Sequence, residues 1–176
     1  MTKGEIVAGC LAPHPPHIVY AENPPQNEPS AEGGWEQLRW GYERLRESLS
    51  EVDYDVIVIL SPHWQTYVGT HFLGLPHFKS LSVDPIFPNL FRYNYDLNID
   101  VDLSKQICDK AEKAGLTVKM MNNPDFRIDY GTITTGHMFN PKWDKPMVVI
   151  SSNRSSAYYS VDVMQEMMME LGKATR

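Results

Sequence analysis

The chain has 176 residues, the size of one well-cored domain, and its 42% apolar and 22% charged content is ordinary for a globular protein. A formal charge of −6 with no Lys/Arg cluster argues against a nucleic-acid partner. No apolar run reaches the ~20 residues of a membrane span, and the start, Met1-Thr2-Lys3-Gly4-Glu5-Ile6, lacks a signal peptide's apolar core, so the expected setting is the cytoplasm.

Residues 4–11 (GEIVAGCL) form an apolar run expected to be a buried strand, ending at Ala12-Pro13-His14-Pro15-Pro16-His17. A proline-rich loop is predicted from there to Gly34, of a length that marks a lid, binding loop or partner contact. Residues 35–51 place Leu38, Tyr42, Leu45 and Leu49 on one stripe of a helix. Residues 55–60 (DVIVIL) read as a strand buried on both faces, stopping at Ser61-Pro62-His63-Trp64. Strand, helix and strand would make a right-handed βαβ unit.

Short strands are predicted over 67–73, 81–83 and 91–97, then a helix over 102–114 capped by Asp100 or Asp102 and stopped by Gly115. A strand over 116–120, a short helix over 131–139, a strand over 147–151 and a helix from Ser160 complete the pattern. The expected architecture is α/β: a mixed, largely parallel central sheet flanked by helices, with the active site at the strand C-terminal ends. The apolar load of the last helix suggests one domain, 1–176, incomplete at its C-terminus. Cys10 and Cys108 have no metal-type spacing and are expected to be buried free thiols. The Trp35, Trp40 and Met164, Met167–Met169 positions are expected in core or interface.

His14 and His63 are the most informative histidines. Each follows a proline just past the end of a predicted strand, and parallel strands would set the two loop starts side by side in the ligand crevice. Two imidazoles converging there suit a metal. His17 is open to three readings: a third ligand, a substrate-facing catalytic group, or a support for the ligands. His71 and His77 are expected as exposed strand-end residues. His137 is either a pocket liner that binds substrate or a packed polar residue. Tyr130 can point its hydroxyl into the crevice or lie buried with a hydrogen-bond partner, and Ser151-Ser152-Asn153 either faces the crevice or caps a helix. No G-x-S-x-G, Walker loop, G-x-G-x-x-G or H-E-x-x-H occurs.

Four blocks occur in order: Gly9-Cys10-Leu11-Ala12-Pro13-His14-Pro15-Pro16-His17, Ser61-Pro62-His63-Trp64, Val83-Asp84-Pro85-Ile86-Phe87-Pro88 and Asp129-Tyr130-Gly131-Thr132-Ile133-Thr134-Thr135. Together they resemble the class III (LigB-type) extradiol ring-cleavage dioxygenases, and within them the catalytic subunits that open 2-aminophenol. The resemblance implies that His14 and His63 bind Fe(II) and that Tyr130 contacts the substrate. It implies insertion of O₂ to open 2-aminophenol, or a substituted aminophenol or catechol, to a muconate semialdehyde. It further implies a homologous non-catalytic α subunit in an α₂β₂ assembly. The family's third ligand, a glutamate, and its acid–base histidine both fall beyond Arg176; within this chain Asp129 is the least poor substitute ligand. Two other readings compete: a metal-poor binding or scaffolding subunit of the same fold, and a zinc hydrolase, against which the lack of a general-base Glu beside either histidine argues.

Overall fold

The computed structural model describes residues 4–20, 35–89, 91–154 and 158–176. A short 3-10 turn, Pro16–Tyr20, precedes helix α1 (Trp35–Leu49). Strands β1 (Ile57–Thr66), β2 (Thr70–Leu73), β3 (His77–Val83) and β4 (Arg92–Asn98) follow, then α2 (Val101–Lys113) and β5 (Val118–Met121). Helix α3 (Tyr130–Phe139), β6 (Met147–Asn153) and α4 (Val161–Thr175) complete the order.

The predicted α/β architecture is present. A four-stranded sheet has the order β1-β6-β2-β5, with β1–β6 and β2–β5 parallel and β2–β6 antiparallel where Phe72 meets Ile150. Strands β3 and β4 form a separate antiparallel hairpin, running from the pair His77–Asn98 to the pair Val83–Arg92. β6 is an inner strand, which explains its unbroken apolar run: Met147 to Ile150 are all buried. Met147 and Val149 face one core with Ile59, Leu73 and Phe91, and Val148 and Ile150 face another with Phe72, Ile107 and Leu171. Each such aliphatic side chain contributes about 1.5–3 kcal/mol by leaving water.

Local signals set the helix ends. Asp100 accepts the Leu103 N–H at 2.9 Å, and Gly115, at φ +90°, ends the turn beyond α2. Ser160 caps α4, as expected. Gly69, at φ +70°, bends the chain so that β2 begins at Thr70 rather than at residue 67. Among the described residues no helix is long and apolar enough to cross a membrane.

Several expectations are overturned. Residues 4–11 form no strand; Ile6 and Val7 are 54% and 51% exposed, and the parallel neighbour of β1 is β6. An apolar run becomes a strand only where it gains a hydrogen-bonded neighbour, and this run has none among the described residues, so the predicted βαβ unit does not form. Cys10 lies in that run and is exposed, whereas Cys108 is buried against α2's core face as expected. His71 is half-buried because β2 is an inner strand flanked by β6 and β5; His77 is exposed as expected and pairs with Asp96 at 2.6 Å. Trp40, Met168 and Met169 are exposed, so of their expected places in core or interface the core is excluded. The predicted loop falls largely on residues 21–34, which lie outside the described residues.

Candidate active site

The site begins with an irregularity in β1. Leu60 pairs with Ile150 and Gln65 with Ser152, so Ser61, Pro62, His63 and Trp64 stand against Ser151 alone. Proline cannot donate to a ladder, and here it sits at a bulge, where strands tolerate it. The bulge lifts His63 out of the sheet near the C-terminal ends of β1 and β6. His63 is exposed and His14 half-buried, so the pair opens to the surface.

The two imidazoles meet edge to face with ring centroids 4.9 Å apart. Tyr130, the first residue of α3, stacks on His63 at 4.5 Å and 27° and lies 6.3 Å from His14. Phe91 backs Tyr130 at 5.7 Å. Gly131 makes this approach sterically feasible. A Cβ there would lie 2.6 Å from Pro62 Cγ, 2.8 Å from His63 Cδ2 and 3.0 Å from His14 Cδ2.

The His14 loop is held by α1. Tyr42 is buried and donates its hydroxyl to the Pro13 carbonyl, while its ring meets Phe139 of α3 at 5.3 Å. Burial, then the neighbouring His63, holds His14 below the ordinary imidazole range, against a smaller opposing pull from Asp129. His14 is thereby kept neutral, the form that binds metals. Burial, with Asp84 and Asp129 adding to it, raises Tyr130, which keeps a phenol proton to donate.

Asp129 is engaged on both oxygens. Oδ1 accepts the Thr132 N–H at 2.9 Å, capping α3; Oδ2 accepts the Ser61 hydroxyl at 2.7 Å and the Thr132 hydroxyl at 2.6 Å. Those bonds leave it poorly suited to the role of substitute ligand. Two imidazoles on a partly open surface fit a divalent transition metal of borderline softness as two of its ligands. Among the described residues no group of three or more His, Cys, Asp or Glu side chains forms a metal site.

The other predicted residues lie elsewhere. His17 lies on the 3-10 turn, and its side chain is outside the described residues. His137 is seven residues along α3 from Tyr130, about 10 Å at 1.5 Å per residue, and its Nδ1 bonds the Tyr93 hydroxyl at 3.0 Å beside Trp143. Asn153 ends β6 opposite Thr66, with its Oδ1 buried and without a partner among the described residues. Sequence reasoning missed Ser61, Tyr42 and Asp84. Asp84 is 2% exposed, and its Oδ1 accepts the N–H groups of Ile86 and Phe87 at 2.8 and 3.0 Å. Its Asp-Pro step pointed to a turn, and the block that carries it, Val83 to Pro88, gave Asp84 no role of its own.

The family described as the catalytic LigB subunit of aromatic ring-opening dioxygenase matches residues 8–176. The β subunit of 2-aminophenol 1,6-dioxygenase from Pseudomonas sp is 58% identical over 176 residues, which is all of this chain and 58% of that protein. The 3,4-dihydroxyphenylacetate 2,3-dioxygenase of Escherichia coli is 25% identical over 84% of this chain and 52% of its own length. The α subunit of 2-aminophenol 1,6-dioxygenase from Pseudomonas sp is 27% identical over 68% of this chain and 44% of its own. The chain spans about half the length of these relatives. Matched along nearly all of its residues, the chain belongs to the LigB family of aromatic ring-opening dioxygenases.

Proposed function

We propose that the chain belongs to the catalytic subunit of a non-heme Fe(II) extradiol dioxygenase that opens 2-aminophenol, or a close aminophenol or catechol, in the cytoplasm. Its partner in this reading is a homologous α subunit, in an α₂β₂ assembly. The observation that carries the reading is the His14–His63 pair at 4.9 Å, with Tyr130 stacked beside it, on a chain 58% identical to a named β subunit.

His14 and His63 would hold the iron. Bound there, ferrous iron supplies the one-electron chemistry that lets a closed-shell aromatic react with O₂. The net change adds both oxygen atoms of O₂ to 2-aminophenol and gives 2-aminomuconate 6-semialdehyde, with no other reductant needed. The chain's own residues orient and protonate. Tyr130 keeps its proton and donates a hydrogen bond toward a substrate heteroatom at the crevice. Neutral His14 stays available as a ligand. Asn153 and His137 are the further substrate contacts of this reading, and His17 its second catalytic group.

Oxygen uptake by the Fe(II)-loaded protein, assembled with its α partner, tests the reading with 2-aminophenol and catechol in parallel. Uptake that requires iron and disappears in His14→Ala is expected; no uptake with either substrate overturns it. A second reading, a metal-poor binding subunit of the same fold, draws on the lack of a third ligand among the described residues. Iron stoichiometry separates the two: about one iron per chain, lost in His63→Ala, supports the first.

A further inference from the structure

We propose that Asp129 is a positioning residue whose carboxylate fixes where His63 stands against His14. This rests on the reading above only for its purpose, metal binding; the geometric claim stands on the bulge itself.

An N-cap needs one acceptor, and Ser, Thr or Asn serve as well as Asp. Asp129 spends Oδ1 on that task, at the Thr132 N–H. Its second oxygen does something a cap does not require: it gathers the Ser61 and Thr132 hydroxyls at 2.7 and 2.6 Å. Ser61 is 1% exposed, and its Oγ also accepts the Trp64 N–H at 2.9 Å. The donors therefore run in one direction, from Trp64 N–H to Ser61 Oγ and from Ser61 O–H to Asp129 Oδ2. Pro62 and His63 lie between the two ends of that chain, so the segment carrying His63 is pinned on both sides. The other end of the clamp is the first turn of α3, where Tyr130 stacks on His63 and Gly131 leaves room for both imidazoles.

Only a group that accepts from both directions closes this arrangement. A buried serine whose oxygen already accepts an N–H must send its own proton to an acceptor. An amide at position 129 would turn donors toward Ser61 and Thr132, two groups that need an acceptor. The carboxylate is thus matched to the pair of hydroxyls, not to a metal.

The test uses Ser61→Ala, which removes the link and leaves the α3 cap, and Asp129→Asn, which keeps shape and removes the acceptor. The readout is the proton NMR shift of the His63 ring, moved by the Tyr130 ring stacked on it, together with amide exchange at Trp64 and the circular dichroism of the fold. Loss of the ring shift and at least tenfold faster Trp64 exchange in both variants, with the circular dichroism unchanged, is expected. A His63 shift retained in both variants overturns the proposal. Fe(II) or Co(II) affinity is measured in parallel, and a 10–100-fold loss is expected of groups that orient ligands. Ring shifts lost in the variants of a protein that binds neither metal would support the clamp and overturn the metal reading instead.

Discussion

Tyr42 of α1 donates its hydroxyl to the carbonyl of Pro13, the residue immediately before His14. A helix distant in sequence thereby holds the turn that presents one half of the histidine pair. Tyr42→Phe removes that donor, and because Pro13 is exposed and its carbonyl can turn to water, about 0.5–1.5 kcal/mol of stability should be lost in urea unfolding. Burial pushes the Tyr42 hydroxyl up to about 12 from 10.0. The folded state therefore holds this proton more tightly than the unfolded chain. Its contribution is complete below pH 10 and is lost as pH rises from 10 toward 12. Alkaline unfolding curves of the wild type and Tyr42→Phe should converge over that window.

Gly131→Ala places a methyl group 2.6 Å from Pro62 Cγ and 2.8 Å from His63 Cδ2. Backbone or ring must shift, at about 1–3 kcal/mol, and metal affinity should fall at least tenfold. Gly172→Ala on α4 is the contrast, since its Cβ meets nothing within 4 Å. That variant should gain about 0.5–1 kcal/mol from helix propensity and leave metal binding unchanged. Calorimetry with metal titration checks both.

Tyr130→Phe keeps the ring stacked on His63 and removes only the proton donor. Metal affinity should stay within twofold of wild type while turnover of the loaded, assembled enzyme falls by roughly 10²–10³. An equal loss of metal affinity would assign Tyr130 to building the pair rather than to the substrate.

Burial, reinforced by Lys119, holds His71 below the ordinary imidazole value of 6.5. The unfolded chain then takes up a proton that the folded chain resists. The contribution is present above pH 6.5 and is lost as pH falls below it. His71→Gln should flatten the acid limb of a stability–pH profile measured by urea unfolding, leaving the neutral plateau nearly unchanged.

The helices were legible in the sequence because their starts carry local chemistry: Asp100, Asp129 and Ser160 cap from one side chain each. The inner strand β6 was legible because burial on both faces leaves no polar residue in its core stretch. The histidine pair was legible because each member follows a proline just past an apolar run, although residues 4–11 form no strand and His63 stands at a bulge within β1 rather than beyond its end. Residues 4–11 misled for a related reason, since a run of apolar residues carries no information about whether a neighbouring strand exists. Ser61, Tyr42 and Gly131 were illegible as site builders because their partners lie far along the chain: Ser61 reaches Asp129 and Tyr42 reaches Pro13. His137 sits on the α3 face that Tyr130 begins, and distance along the helix, not direction, separates it from the pair.

The bulge in β1 sets regularity and chemistry in competition for the same four positions. Deleting Ser61, Pro62 and His63 would let β1 and β6 pair without a break, since Ser151 would then face Trp64 alone. Such a chain would gain ladder hydrogen bonds and lose His63. The irregular stretch is thus where the sheet gives up regular pairing so that His63 can stand against His14.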